Sequence, residues 1–181
     1  DATNGLATSY RSWALNGTVT STGASTMTDS GGDAGILLAS GTPLNTDFNV
    51  PSGTLVVSVT LHDGRTTSGS AARATGLTKL GAGTMIFSAT GNSYTGATDV
   101  SAGTLLIDGA TSSPSAVTVA ANATLGGTGT IGHNTSIANG GRLEFRLNTP
   151  AASHNKLDLA ATKTMTFVNA STLTITTSGA A

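Results

Sequence analysis

Residues 76–107 read GLTKLGAGTMIFSATGNSYTGATDVSAGTLLI, and inside them an Ala-Gly-Thr step opens two apolar runs, one from Ala82 and one from Ala102. The runs themselves, Met85-Ile86-Phe87 and Leu105-Leu106-Ile107, have strand length and strand composition. A unit of strand and turn that begins at Ala82 and begins again at Ala102 is the signature of a stacked β-solenoid. Each repeat makes one coil and buries its apolar side only by stacking on the next. A propeller blade, with four strands per unit, needs a longer period.

The phrase continues outward from this pair. Upstream, SGTLVVSV sets Thr54 in the place held by Thr84, after a longer step. Downstream, NATLGG sets Thr124 as far beyond Thr104 as Thr104 lies beyond Thr84, and GGRLEFRL brings Arg142 after a slightly shorter step. Fainter copies read TKTMTFV from Thr162, ASTLTIT from Ala170, NGTVTST from Asn16 and GASTMTD from Gly23. Steps of about 20, with jumps to about 30, predict coils that accept loop insertions on one face. The 24 glycines supply the positive φ of tight corners, and the 34 threonines, β-branched yet polar, suit outward strand positions. No window of a dozen residues carries helical periodicity; Ala71 to Ala74 is too short to count. The expected fold is all-β, a single elongated rod of parallel β-helix. It should hold roughly seven to nine coils and be on the order of 40 Å long at ~4.8 Å per coil. Residues 50–181 hold the clear coils, and residues 1–49 read as N-terminal coils or a cap with weaker repeat character.

Charge is sparse and balanced, with eight basic and nine acidic residues. That balance argues against nucleic acid, which needs a clustered basic patch, and against electrostatic membrane binding. Without cysteine there is neither a disulfide framework nor a thiolate metal site. The chain has no apolar run long enough to insert into a membrane as a helix. Asp1 in place of Met fits a cleaved leader and an excised segment equally.

Three steps in the central segment carry a resemblance. Thr78-Lys-x-Gly-x-Gly-Thr84, Asn92-x-Tyr-Thr-Gly96 and the closing Ala102-Gly-Thr-Leu105 make Leu77 to Gly109 similar to the autotransporter-associated β-strand repeat of bacterial passenger domains. VTVAANATLGGTGTIG and IANGGRLEFRL resemble the coils that follow it in that family. The resemblance implies a right-handed parallel β-helix, exported through the outer membrane and displayed or released at the bacterial cell surface. Such proteins end in a translocator barrel; the residues after Leu173 do not read as its amphipathic strands, so a passenger piece, or a relative using other machinery, is expected.

The residues that could carry chemistry are few. Gly127-Thr-Gly-Thr-Ile-Gly132 matches the dinucleotide fingerprint in form, but His133-Asn-Thr-Ser-Ile-Ala-Asn-Gly-Gly cannot open the helix that would receive a pyrophosphate, so a solenoid corner is expected. His62 and Asp63 are adjacent in what reads as a loop after Leu61, and His133 and His154 show no ligand spacing; all read as loop residues. Polysaccharide-cleaving β-helices use facing carboxylates or Asp clusters that hold calcium. Here Asp29 and Asp33 flank a Gly-Gly turn, Asp99 and Asp108 are expected at opposite corners of one coil, and Glu144 lies between Arg142 and Arg146 on one outward strand face. Asn16, Asn122, Asn134 and Asn169 head Asn-x-Ser/Thr triplets, read in a bacterial protein as a product of composition. No catalytic residue, cofactor or metal is therefore expected, and no enzyme.

Tyr94 reads as a packing residue at a coil turn. Tyr10 and Trp13 stand near the N-terminus beside Leu6 and Leu15, and STLTITTSGAA, with Leu173 and Ile175, reads as one more strand near the C-terminus. A terminal coil leaves backbone donors and acceptors without partners. Tyr10, Trp13, Leu173 and Ile175 are therefore the expected cap or assembly contacts, through which copies would stack head to tail. The expected function is an extracellular structural or adhesive rod, its partners further copies of itself or a host or surface glycan. A carbohydrate-active or glycan-binding β-helix is the alternative, supported by fold analogy alone.

Overall fold

Alternation of buried and outward residues over three to five positions, cut by glycine every few residues, yields strands too short to stand alone. In a computed structural model of the chain they stack instead. Residues 13–29, 35–39, 44–65, 71–112, 116–148 and 157–178 are described, with no helix among them and every strand paired in parallel.

Each coil turns through three faces. The first carries Trp13–Leu15, Ile36–Leu38, Leu61–Asp63, Ala110–Ser112, Thr130–Gly132 and Asp158–Leu159. Gly76–Leu80, Thr98–Val100, Val117–Val119, Thr135–Ile137 and Met165–Phe167 lie on the second. The third holds Thr84–Phe87, Thr104–Ile107, Thr124–Gly126, Arg142–Asn148 and Thr172–Ser178. Two long strands, Thr18–Met27 and Asn45–Val57, bend across the second and third faces and join them into one 12-stranded sheet. The described residues thus form a parallel β-helix of seven coils, about 30 Å from the first to the last at ~4.8 Å per step.

The register confirms the main phrase. Ala24, Thr54, Thr84, Thr104, Thr124, Arg142 and Thr172 are successive partners up the third face. Two of the fainter copies belong elsewhere: NGTVTST begins on the second face, where Thr18 pairs Asp47, and TKTMTFV lies there too, where Met165 pairs Thr135. Threonine alternating with an apolar residue describes both faces, so the pattern alone did not separate them.

Insertions do not enter on one face. The extra residues between Thr54 and Thr84 fall at 64–75, between first and second faces; those between Arg142 and Thr172 fall at 149–157, between third and first. The second-to-third corner stays short throughout, at 81–83, 101–103, 120–123, 138–141 and 168–171. There Gly23, Gly53, Gly83 and Gly103 stack so closely that a Cβ on Gly53 or Gly103 would run into backbone of the coil below. Gly103 also holds φ +66°, open to glycine without strain.

Inside, side chains stack in columns along the rod. Leu55, Met85, Leu105, Leu125 and Leu143 form one on the third face; Phe48, Val100, Val119 and Ile137 belong to one on the second; Ile36, Leu61 and Ile131 line the first. Each fully buried Leu, Ile or Phe contributes about 1.5–3 kcal/mol, and each column needs its neighbours above and below.

Candidate functional site

The second-face column contains one residue of another kind. Strand alternation in Gly76–Leu80 turns Leu77 and Lys79 inward, and Lys79 pairs with Phe48 below and Val100 above. Its side chain is fully buried. The Lys79 Nζ donates to the carbonyls of Leu80 (2.7 Å), Gly81 (2.8 Å) and Ala102 (3.1 Å), so it clamps the tight corner of coil three to that of coil four. Burial pushes the amine down from 10.5 to about 8. Three acceptors favour the ammonium, since a neutral amine donates only two hydrogens.

The first face of coil four has no strand, only a parallel bridge from Asn92 to Thr111. The Asn92 side chain fills that gap. Its Oδ1 accepts from the Leu61 N–H (2.9 Å), and its Nδ2 donates to the carbonyls of Ala89 (3.0 Å) and Ala110 (2.9 Å). One buried amide thereby supplies the rungs that coils three, four and five lack. Tyr94, also buried, shares a hydrogen bond with the Thr98 hydroxyl (2.6 Å), and its ring stacks on His133 with centroids 6.4 Å apart. Desolvation raises the phenol to about 12, against a smaller lowering from the Thr98 bond. Gly96 packs where a Cβ would run into the Thr75 backbone, and its N–H donates to the Thr75 carbonyl (3.0 Å).

Thr95 reaches a second hub. Asp63 accepts from the Thr95 N–H (2.7 Å) and hydroxyl (2.7 Å) and from the Thr75 N–H (3.0 Å) and hydroxyl (3.3 Å). The Thr75 hydroxyl also accepts from the Gly64 N–H (2.9 Å), and the Arg73 N–H donates to the Gly64 carbonyl (2.9 Å). Asp63 thus closes the base of the 64–75 insertion and ties it to coil four. Its neighbour His62 faces outward, with Nδ1 2.6 Å from the Ser93 hydroxyl and Nε2 3.0 Å from that of Thr60. Burial lowers the imidazole below 6.5 and the Asp63 charge opposes that shift.

These placements amend the expectations for the histidines. His62 and Asp63 sit in a strand, Leu61–Asp63, because Leu61 is an inward column residue that carries them into the ladder. His133 occupies a turn as expected but is fully buried against Tyr94. His154 lies outside the described residues.

Gly127–Gly129 form a corner and Thr130–Gly132 a first-face strand, so the fingerprint match is a solenoid turn. The carboxylates are dispersed. Asp99 sits mid-strand on the second face, not at a corner, because its partners Thr78 and Thr118 fix it in the ladder. Asp108 is at a corner and accepts from the Thr128 N–H (3.1 Å) one coil on. Glu144 and Arg142 flank buried Leu143 on the third face; Asp33 and the Arg146 side chain lie outside the described residues. No group of three or more His, Asp or Glu able to hold a metal occurs among the described residues.

Of the expected assembly contacts, Tyr10 lies outside the described residues, as does the side chain of Ile175, whose backbone pairs Phe145. Trp13 pairs Ile36 and Leu173 pairs Leu143, so both stand on inward columns, in coils one and seven. Trp13 is nonetheless 62% exposed and Leu173 53%. The structure places them at opposite ends of the stack and does not bring them together.

Of the residues with chemistry, alternation marks Lys79 as inward in the sequence. Asn92, Ser93 and Asp63 carry no such mark, because their partners are 31 or 32 residues away. No curated protein and no solved structure matches the chain. Residues 77–107, from the second face of coil three to the third face of coil four, match the family model of the passenger-associated-transport-repeat. With the coil stack, that match supports an autotransporter passenger-type β-helix.

Proposed function

We propose that this chain is a length of an exported rod, displayed at a bacterial surface, whose work is mechanical and adhesive. One observation carries the reading: four polar residues of the matched repeat are engaged in holding the stack. Lys79 clamps a corner, Asn92 replaces missing rungs, Tyr94 plugs the core and Thr95 joins the Asp63 hub. What varies from coil to coil is the length of two corners, which suits loops carried on a stiff support, the surface glycan of a host being one partner they would meet.

Surface display is tested by adding trypsin to intact cells that make the whole natural protein. Cleavage at Arg65 or Arg73, in the described parts of the 64–75 insertion, is the expected result. Protection of both sites until the cells are broken would overturn the reading.

End-to-end association belongs to the same proposal. Trp13 at one end, and Phe167 (44% exposed) with Leu173 at the other, are inward-column residues lacking a described coil above or below; Tyr10 and Ile175 would join them. Negative-stain microscopy over a concentration series should show fibres that Trp13→Asp abolishes. Fibres unchanged by that substitution, or isolated rods at every concentration, would remove end-to-end stacking.

A further inference from the structure

The hydroxyl–imidazole pair on the first face does nothing for the core. Ser93 is exposed, at the unspecified position of Asn92-x-Tyr-Thr-Gly96, and its Oγ lies 2.6 Å from His62 Nδ1. The other ring nitrogen is fixed at 3.0 Å from the Thr60 hydroxyl. A nucleophile within reach of a base, with the base oriented by a third group, is the arrangement that activates a serine.

We propose that Ser93 is an activated nucleophile with His62 as its general base, and that it takes an acyl group from small neutral esters. With the proton on Nε2 given to Thr60, Nδ1 is the acceptor for the Ser93 O–H. Attack then forms the Ser93 Oγ–carbonyl bond while the proton passes to His62 Nδ1. Collapse breaks the ester C–O bond, the alcohol leaves with that proton, and Ser93 remains acylated; water reverses the step to release the acid.

Three surroundings fit this chemistry. Gly35 lies against the ring where any Cβ would run into it, so the imidazole rests on that glycine, and the Ser93 side of the pair is exposed. An exposed hydroxyl is within reach of a small acyl group carried on a larger molecule. The Asp63 carboxylate on the next residue stabilises the imidazolium that forms and disfavours anionic substrates. Burial keeps His62 below 6.5, hence neutral and basic at pH 7. The inference is independent of the surface-rod reading.

The chain supplies its own control. Ser88 and Ser58 are also outward and share a hydroxyl–hydroxyl bond of 3.0 Å, with no imidazole in it. The folded chain is treated with a fluorophosphonate probe and with para-nitrophenyl acetate, and the adducts are mapped by mass spectrometry. Ser93 should be modified at least tenfold faster than Ser88 or Ser58, a modest share of the roughly 10²–10⁴-fold that a positioned base provides. His62→Gln, which keeps a hydrogen-bonding amide but cannot take the proton, should bring Ser93 to the rate of Ser88. Equal modification of the three serines in the unsubstituted chain, or a Ser93 rate unchanged by His62→Gln, overturns the proposal. The first comparison needs no variant to fold.

Discussion

Replacing Lys79 with methionine keeps the length of the stem and removes the three donors of the corner clamp. The carbonyls of Leu80, Gly81 and Ala102 then lose the ammonium that bonds them. A buried acceptor left without its donor costs about 1–3 kcal/mol; at the lower half of that range the three together lose about 3–6 kcal/mol. Against this stands relief from burying a charge, since a fall from 10.5 to about 8 corresponds to about 3 kcal/mol at most. The expected net loss at pH 7 is therefore small, about 0–3 kcal/mol. The pH dependence is more telling. Between about 8 and 10.5 the folded chain has released the Lys79 proton while the unfolded chain still holds it. The unfolded state binds more protons there, so stability rises with pH. Urea unfolding of both chains at pH 7, 8, 9 and 10, followed by far-UV circular dichroism, should show the unsubstituted chain gaining up to about 3 kcal/mol relative to Lys79→Met. A gap that stays constant or narrows over that range would refute the account of Lys79 as a desolvated amine.

Tyr94 has the opposite sign. Its phenol ionises at about 12 in the folded chain and near 10 when unfolded, so stability should fall as pH rises from 10 towards 12, and Tyr94→Phe should remove that slope in the same urea series. At neutral pH the Phe variant leaves the buried Thr98 hydroxyl without its 2.6 Å partner and is expected to lose about 1–2 kcal/mol. Asn92→Ala strips hydrogen bonds from the Leu61 N–H and from the Ala89 and Ala110 carbonyls. A loss of about 3 kcal/mol is expected, with faster amide exchange at Leu61; a loss under about 1 kcal/mol with Leu61 still protected would contradict the rung-replacement role.

The legible part of this fold is the part set by short-range pattern. Thr54, Thr84, Thr104, Thr124 and Arg142 fall in one register because an Ala-Gly-Thr-like step and the apolar run after it lie a few residues apart, and both belong to the same corner. The face of a fainter copy is not so encoded: Met165-Thr-Phe167 and Leu173-Thr-Ile175 alternate alike, yet they occupy adjacent faces of one coil. The polar sites were less visible still. Asp63 meets Thr95, and His62 meets Ser93, only after the chain has completed a coil and its insertion, and nothing near Asp63 in sequence announces a partner 32 residues on. Lys79 lies between these cases. Alternation turns it inward, but the carbonyls that receive it come from the next coil as well as its own.

A stack of near-identical rungs invites slippage, because a strand displaced by one coil would still find a threonine beside a threonine and an aliphatic beside an aliphatic. Lys79 removes that ambiguity. A buried ammonium is tolerable only where a corner offers three inward carbonyls, and the corner shared by coils three and four does so. Moved by one coil, the same amine would keep the Leu80 and Gly81 carbonyls of its own corner, lose that of Ala102, and stand short of an acceptor among column residues such as Val119 and Ile137. The lysine therefore acts as an address within a repetitive text, marking which coil is the third and penalising every misaligned pairing of the chain with itself.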